Sequence, residues 1–131
     1  ELSGRLDVTE TFNLGLSYTY LDARNPDNSR EVRRPRHELG LQAGLDVLGG
    51  KGHLAADLRY VADNWDAQYY GTFATAKLPD YWLANISASY DLTDAVQLTG
   101  RVSNLFDKDY RDTWGYATEG RTAWVGVEAK W

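Results

Sequence analysis

Apolar residues recur at every second position over most of this chain, a period that belongs to strands and not to helices. Leu2, Gly4, Leu6 and Val8 face one way and Ser3, Arg5 and Asp7 the other, which predicts a first strand over 2–8. After Thr9-Glu10-Thr11, the residues Phe12, Leu14, Leu16, Tyr18 and Tyr20 alternate with Asn13, Gly15, Ser17 and Thr19. Nine residues, Phe12 to Tyr20, match what a tilted strand needs to cross a bilayer. Asp22 to Pro35 is polar and carries Asn25-Pro26-Asp27-Asn28, so it reads as a long loop with its own turn. The third strand sets Leu39, Leu41, Ala43, Leu45 and Val47 against Glu38, Gly40, Gln42, Gly44 and Asp46. Gly49-Gly50-Lys51-Gly52 is a tight turn, because alternation restarts at once with Leu54, Ala56, Leu58 and Tyr60 against Asp57 and Arg59. A second long loop runs from Ala62 to Asp80. Trp82, Ala84, Ile86, Ala88 and Tyr90 mark a fifth strand, a brief turn covers Asp91 to Ala95, and Val96, Leu98, Gly100 and Val102 mark a sixth. Asp107 to Gly120 is the third long loop, and Thr122 to Trp131 is the closing strand.

Short and long connections alternate strictly, so the expected fold is all-β, an antiparallel up-and-down meander of about seven strands. Bacterial outer-membrane barrels have short periplasmic turns and long extracellular loops, which places all three long loops on the outside. The aromatics sort by strand end. On the apolar face Tyr20, Tyr60, Trp82 and Phe106 fall at the long-loop end, Phe12, Tyr90 and Trp131 at the short-turn end, with aliphatics between. Rings at both water interfaces and aliphatics against lipid tails give that distribution, whereas a soluble β-sandwich has no reason to sort its aromatics so. No apolar run is long enough for a transmembrane helix, and the mean hydropathy of −0.54 suits strands whose alternate residues are polar.

The stretch Asn104-Leu105-Phe106-Asp107-Lys108-Asp109-Tyr110, then Gly115-Tyr116, then Gly120-Arg121, then a final alternating strand closing on Trp131, resembles the extreme C-terminus of a TonB-dependent outer-membrane receptor. It is most similar to the vitamin B12 (cobalamin) transporter branch. The resemblance implies that residues 1–131 are the C-terminal strands of a transmembrane β-barrel, without the plug domain. The chain begins at Glu1 and contains no Met, so it reads as a piece of a longer protein. Such receptors take up cobalamin or a ferric siderophore, coupled to the TonB complex of the inner membrane, and need no cofactor of their own. The implied partners are the lipid bilayer, lipopolysaccharide, the missing plug and barrel strands, and the outer-membrane assembly machinery. Gly126, Val127, Ala129 and Trp131 are the residues that machinery would read; Trp124 departs from the family pattern, which more often has a polar residue there.

Charge and composition narrow the chemistry. A net charge of −5 argues against nucleic acid, since neutralising phosphates needs a basic surface. With no cysteine and only His37 and His53, zinc and copper sites lack ligands. Asp22, Asn25, Asp27 and Asn28 lack the spacing of a calcium loop and are explained by turn formation. No nucleophile elbow or phosphate-binding glycine loop occurs, so nothing points to an enzyme. Two loop features are candidates for binding. Trp65, Tyr69, Tyr70 and Phe73 in one loop, with Tyr110, Trp114 and Tyr116 in another, can grip a large, partly apolar ligand at the outer mouth, or simply pack the loops. Arg30, Arg33, Arg34 and Arg36, next to His37, stand where lipopolysaccharide phosphates would be, or form a solvated charge run. Arg5, Asp7, Glu38, Asp46, Asp57, Arg59, Arg101, Glu128 and Lys130 lie on the alternate face and make it polar. Two other architectures stay open: a small autonomous outer-membrane barrel of about eight strands, and a soluble β-sheet binding module that buries Leu14, Leu16, Leu41, Leu58 and Ile86 under a second layer.

Overall fold

The computed structural model describes residues 1–131 in full. Seven strands form one sheet: β1 (Leu2–Asp7), β2 (Phe12–Tyr20), β3 (His37–Val47), β4 (Gly52–Ala62), β7 (Tyr81–Thr93), β8 (Val96–Ser103) and β9 (Thr122–Ala129), in that spatial order and antiparallel throughout. A short hairpin of β5 (Trp65–Ala67) and β6 (Thr75–Lys77) lies between β4 and β7. The 62–80 loop was expected to have no strands; three-residue strands are too short for their alternation to register in sequence. No helix is long and apolar enough to cross a membrane, which says nothing about crossing by strands.

The pairing register fixes the two faces, because residues directly opposite in an antiparallel ladder point the same way. One row runs Gly4, Leu16, Leu41, Leu58, Ala84 across five strands, and the next runs Leu6, Leu14, Ala43, Ala56, Ile86, Val102, Ala123 across all seven. The opposite face carries the row Arg5, Gly15, Gln42, Asp57, Asn85 and the row Asp7, Asn13, Gly44, Ala55, Ser87, Arg101, Trp124. The predicted apolar and polar faces are therefore those of the sheet. Nothing in the chain covers the apolar one. Leu14, Leu16, Leu41, Leu54 and Ile86 are all 40–44% exposed, so the expected second layer of a soluble module is absent. Nor does the sheet close: β1 pairs only with β2 and β9 only with β8, leaving two open edges where an autonomous barrel would have none.

At the long-loop end of the apolar face Tyr60 stacks on Trp82 with ring centroids 4.4 Å apart, and Tyr20 tilts against His37 at 5.3 Å. The Tyr18 hydroxyl and His37 Nδ1 lie 2.8 Å apart, so His37 belongs to this aromatic band. Phe12 and Tyr90 occupy the other end. Two members of the expected girdle lie off the ladder: Phe106 sits in the turn after β8, and Trp131 lies beyond β9, which ends at Ala129. The strand β7 runs to Thr93 instead of Tyr90, with a register shift between Asp91 and Thr93. The polar pair Asp91 and Gln97, joined by a 2.7 Å hydrogen bond, continues the ladder where apolar alternation stops.

On the polar face a glycine repeatedly faces a polar side chain. Ser17 opposes Gly40, where a Cβ would stand 2.6 Å from the Ser17 hydroxyl, and Thr99 opposes Gly126, where it would stand 2.8 Å from Oγ1. The missing Cβ atoms are the space those side chains lie in.

Candidate functional site in the three long loops

The loops do not project freely; they fold over one end of the polar face. Register puts Val61 and Tyr81 on that face, and both are buried, to 1% and 2% exposure. The Tyr81 ring packs on Tyr110 at 4.8 Å, and its hydroxyl donates to the Asp112 carboxylate, so the 104–121 loop crosses above it. With Leu83 these residues form an apolar patch on a face expected to be polar. The traces they leave in sequence are the doublets Tyr60-Val61 and Tyr81-Trp82, where strict alternation breaks.

Three acidic or amide side chains tie the loops together. Asp63 accepts from the Trp65 indole N–H at 2.8 Å, pairs with Arg30 at 2.7 Å and Arg36 at 3.4 Å, and its backbone N–H donates to Asp80. Asp66 is fully buried. It accepts from Arg33 Nε at 2.9 Å, from the backbone N–H of Ala67 at 2.8 Å and from the backbone N–H of Trp114 at 2.7 Å, and so joins all three loops at one carboxylate. Burial works against its charged form. The two N–H groups and the guanidinium outweigh that, and its carboxyl is held below the ordinary value of 3.8. Asn104 closes the third loop: its amide donates to the carbonyls of Lys108 and Glu119, and its side-chain oxygen accepts from the Lys108 N–H. Arg33, Asp63 and Asn104 all take positive φ, at 60°, 56° and 50°. For non-glycine residues such backbone persists only where surroundings over-determine it, as these hydrogen bonds do.

This geometry divides the aromatic candidates. Trp65 is half-buried under the Arg30 guanidinium, 5.2 Å from its ring, and Tyr110 packs against Tyr81; both are structural. Trp114 is half-buried, its indole N–H enclosed without a protein partner. Tyr69, Tyr70, Phe73 and Tyr116 are exposed. Tyr69 and Tyr116, from different loops, meet across a cleft of about 430 Å³ whose other walls are Arg33 and Thr113, with Tyr70 beside Gly115 at the rim. The arginines divide as well. Arg30, Arg33 and Arg36 are engaged by Asp63, Asp66 and Asp22, while Arg34 pairs loosely with Glu31 at 3.4 Å, both exposed. Arg33 spends Nε on Asp66 and Nη2 on the Tyr69 hydroxyl, with its guanidinium 5.3 Å from that ring. No protein acceptor takes its remaining nitrogen, Nη1. A fixed cation between two phenol rings suits an anionic, oxygen-rich, partly aromatic group.

A family model described as TonB dependent receptor-like, beta-barrel, matches residues 1–105. The chain belongs to the TonB-dependent receptor β-barrel family. Solved structures agree on the fold of this TonB-dependent receptor barrel segment. The ferripyoverdine receptor of the outer membrane of Pseudomonas aeruginosa, bound to ferripyoverdine, superposes with a TM-score of 0.80 at 20% identity, over 95% of this chain and 18% of its own. The siderophore receptor PiuA from Acinetobacter baumannii gives 0.70 at 24%, over 97% and 20%. The copper transporter OprC gives 0.77 at 21%, over 97% and 22%. The chain thus spans about a fifth of the length of these receptors.

Proposed function

We propose that this chain is the C-terminal part of the wall of an outer-membrane transporter that takes up a scarce metal-bearing nutrient by TonB-coupled transport. The observation that carries the reading is the continuous, uncovered apolar face, bordered by Tyr20, Tyr60 and Trp82 at one end and Phe12 and Tyr90 at the other, which suits a lipid bilayer and no aqueous setting. Loops at the outer end would then carry the ligand cleft of Arg33, Tyr69, Thr113 and Tyr116. That cleft favours a ferric siderophore over cobalamin, because its fixed guanidinium complements the anionic oxygens of a siderophore chelate. The remaining strands and the plug complete the lumen, and the TonB complex supplies energy through the full-length receptor. Lipopolysaccharide phosphates would meet Arg34, the least engaged of the four clustered arginines. The assembly machinery would pair with the open edge of β9, through Gly126, Val127 and Ala129, and with Trp131 beyond it.

The test is uptake by cells whose only receptor of this class is the full-length protein, with iron-55 siderophores and cobalt-57 cobalamin as alternative cargoes. Siderophore uptake that stops when TonB is deleted is expected; TonB-independent uptake, or none of either cargo, would remove the reading. Deleting Trp131 should lower the amount of heat-modifiable barrel in the outer membrane while leaving export intact.

A further inference from the structure

The cleft of about 430 Å³ is walled by side chains from three separate loops: Arg33, Tyr69, and Thr113 with Tyr116. None of them belongs to a strand of the ladder. What holds them at one spacing lies behind them. Asp66, with no exposed surface, accepts from Arg33 Nε at 2.9 Å, from the Ala67 N–H two residues before Tyr69, and from the Trp114 N–H between Thr113 and Tyr116. The carboxylate itself does not line the cleft. Every loop that contributes a wall therefore leads, within two residues, to the same pair of oxygens.

Arg33 shows why a buried carboxylate matters to a ligand it does not touch. Its side chain is 45% exposed, and a free arginine in that setting would give up its rotamer freedom only when the ligand bound, at a cost to affinity. Here that freedom is already gone. The Arg33 backbone N–H donates to the Trp65 carbonyl at 2.7 Å, Nε donates to Asp66, and Nη2 donates to the Tyr69 hydroxyl. Arg34 next door supplies the contrast: it meets Glu31 at 3.4 Å with both side chains exposed, where water screens the pair. Water does not reach Asp66, and two backbone N–H groups orient it, so its hold on Nε sets the plane of the guanidinium. That plane and the Tyr69 and Tyr116 rings then border one opening.

We propose that Asp66 is a positioning residue for ligand binding: it sets the Arg33 guanidinium, and the spacing of Tyr69 from Thr113 and Tyr116, before an anionic chelate arrives. This rests on the reading of the cleft as the ligand site. The test is a double-mutant cycle in the full-length receptor, read by equilibrium binding of iron-55 ferripyoverdine and of an iron-55 tris-catecholate to outer membranes. For whichever probe binds, Arg33→Gln and Asp66→Asn should each weaken binding about tenfold, as expected for one hydrogen bond to a charged group. The two together should weaken it no more than about twofold beyond Arg33→Gln alone, because Asp66 acts through Arg33. A residue that only kept the loops folded would multiply the two losses. Arg33→Lys keeps the charge without the fixed fork and should also lose about tenfold. Being at an exposed position, it carries the test if Asp66→Asn fails to reach the membrane. Unchanged affinity in Asp66→Asn, Arg33→Gln or Arg33→Lys, or multiplied losses in the double variant, would each overturn the proposal while the siderophore reading stands. A receptor that binds neither ferric probe would instead remove the siderophore reading, and this one with it.

Discussion

In the strand wall, backbone ladders hold the chain and the side chains are left open on both faces, whereas in the three long loops the side chains hold the backbone. Nine residues are buried, and only Gly44 and Gly52 among them lie away from the loop end. The others, Val61, Ala62, Asn64, Asp66, Leu78, Tyr81 and Asn104, gather where the loops fold over the sheet. The wall is thus built for an external solvent to complete. The loops instead supply most of their own packing, around buried polar groups such as Asp66 that are hydrogen-bonded within the chain, and there an unpaired buried polar group costs more than a satisfied one contributes.

That contrast can be broken most sharply at Asp66. Asp66→Ala strands the N–H groups of Ala67 and Trp114 and frees Arg33, and should lower the free energy of loop opening by about 3–5 kcal/mol. Amide hydrogen exchange should then rise in all three loops together while the β2–β3 ladder keeps its protection. Acid should do the same more gently. A carboxyl held below 3.8 in the folded loops stabilises them above that pH, and the contribution is lost as pH falls through the lowered value. Trp114 exchange should therefore be flat from neutral pH to about 4, after correction for intrinsic rates, and accelerate below.

The wall responds instead to the sign of the face. Leu16→Arg should cost about 2–4 kcal/mol of folding into lipid vesicles, and Ser17→Arg, one residue on and facing the other way, far less. Equal costs would mean that the faces are misassigned. A smaller effect lies in the aromatic band, where a double-mutant cycle of Tyr60→Ala and Trp82→Ala should show a coupling of about 0.5–1.5 kcal/mol. Smallest of all is Arg34→Gln, which breaks an exposed pair with Glu31 and should change vesicle folding by about 0–1 kcal/mol, against the larger loss expected at Arg33 next door.

The same division explains what was legible in the sequence. The faces of Leu14, Leu16, Leu41 and Ile86 follow from alternation alone, since a register shift by one residue would turn every leucine inward. Family membership was legible too, whereas the match to known receptors does not single out cobalamin. The anchoring roles of Asp63 and Asp66 were invisible, and Asn104 was visible only as part of the family motif, because an Asp or Asn in a polar loop looks the same whether it caps a turn or anchors three loops; only the three-dimensional meeting of Arg33, Asp66 and Trp114 distinguishes the cases. Val61 and Tyr81 escape sequence reading for a related reason: their period assigns them to the polar face, and only the overlying loop makes an apolar residue there favourable.

The glycines that lie beneath Ser17 and Thr99 carry a consequence for how this wall can drift over evolutionary time. A side chain at Gly40 or Gly126 would meet its neighbour's hydroxyl, and because that oxygen is the free end of a short side chain, the neighbour has to turn to another rotamer to admit it. The two positions of each pair, Ser17 with Gly40 and Thr99 with Gly126, are therefore coupled across the ladder. Related receptors should show these positions substituted as couples more often than other pairs on the same face.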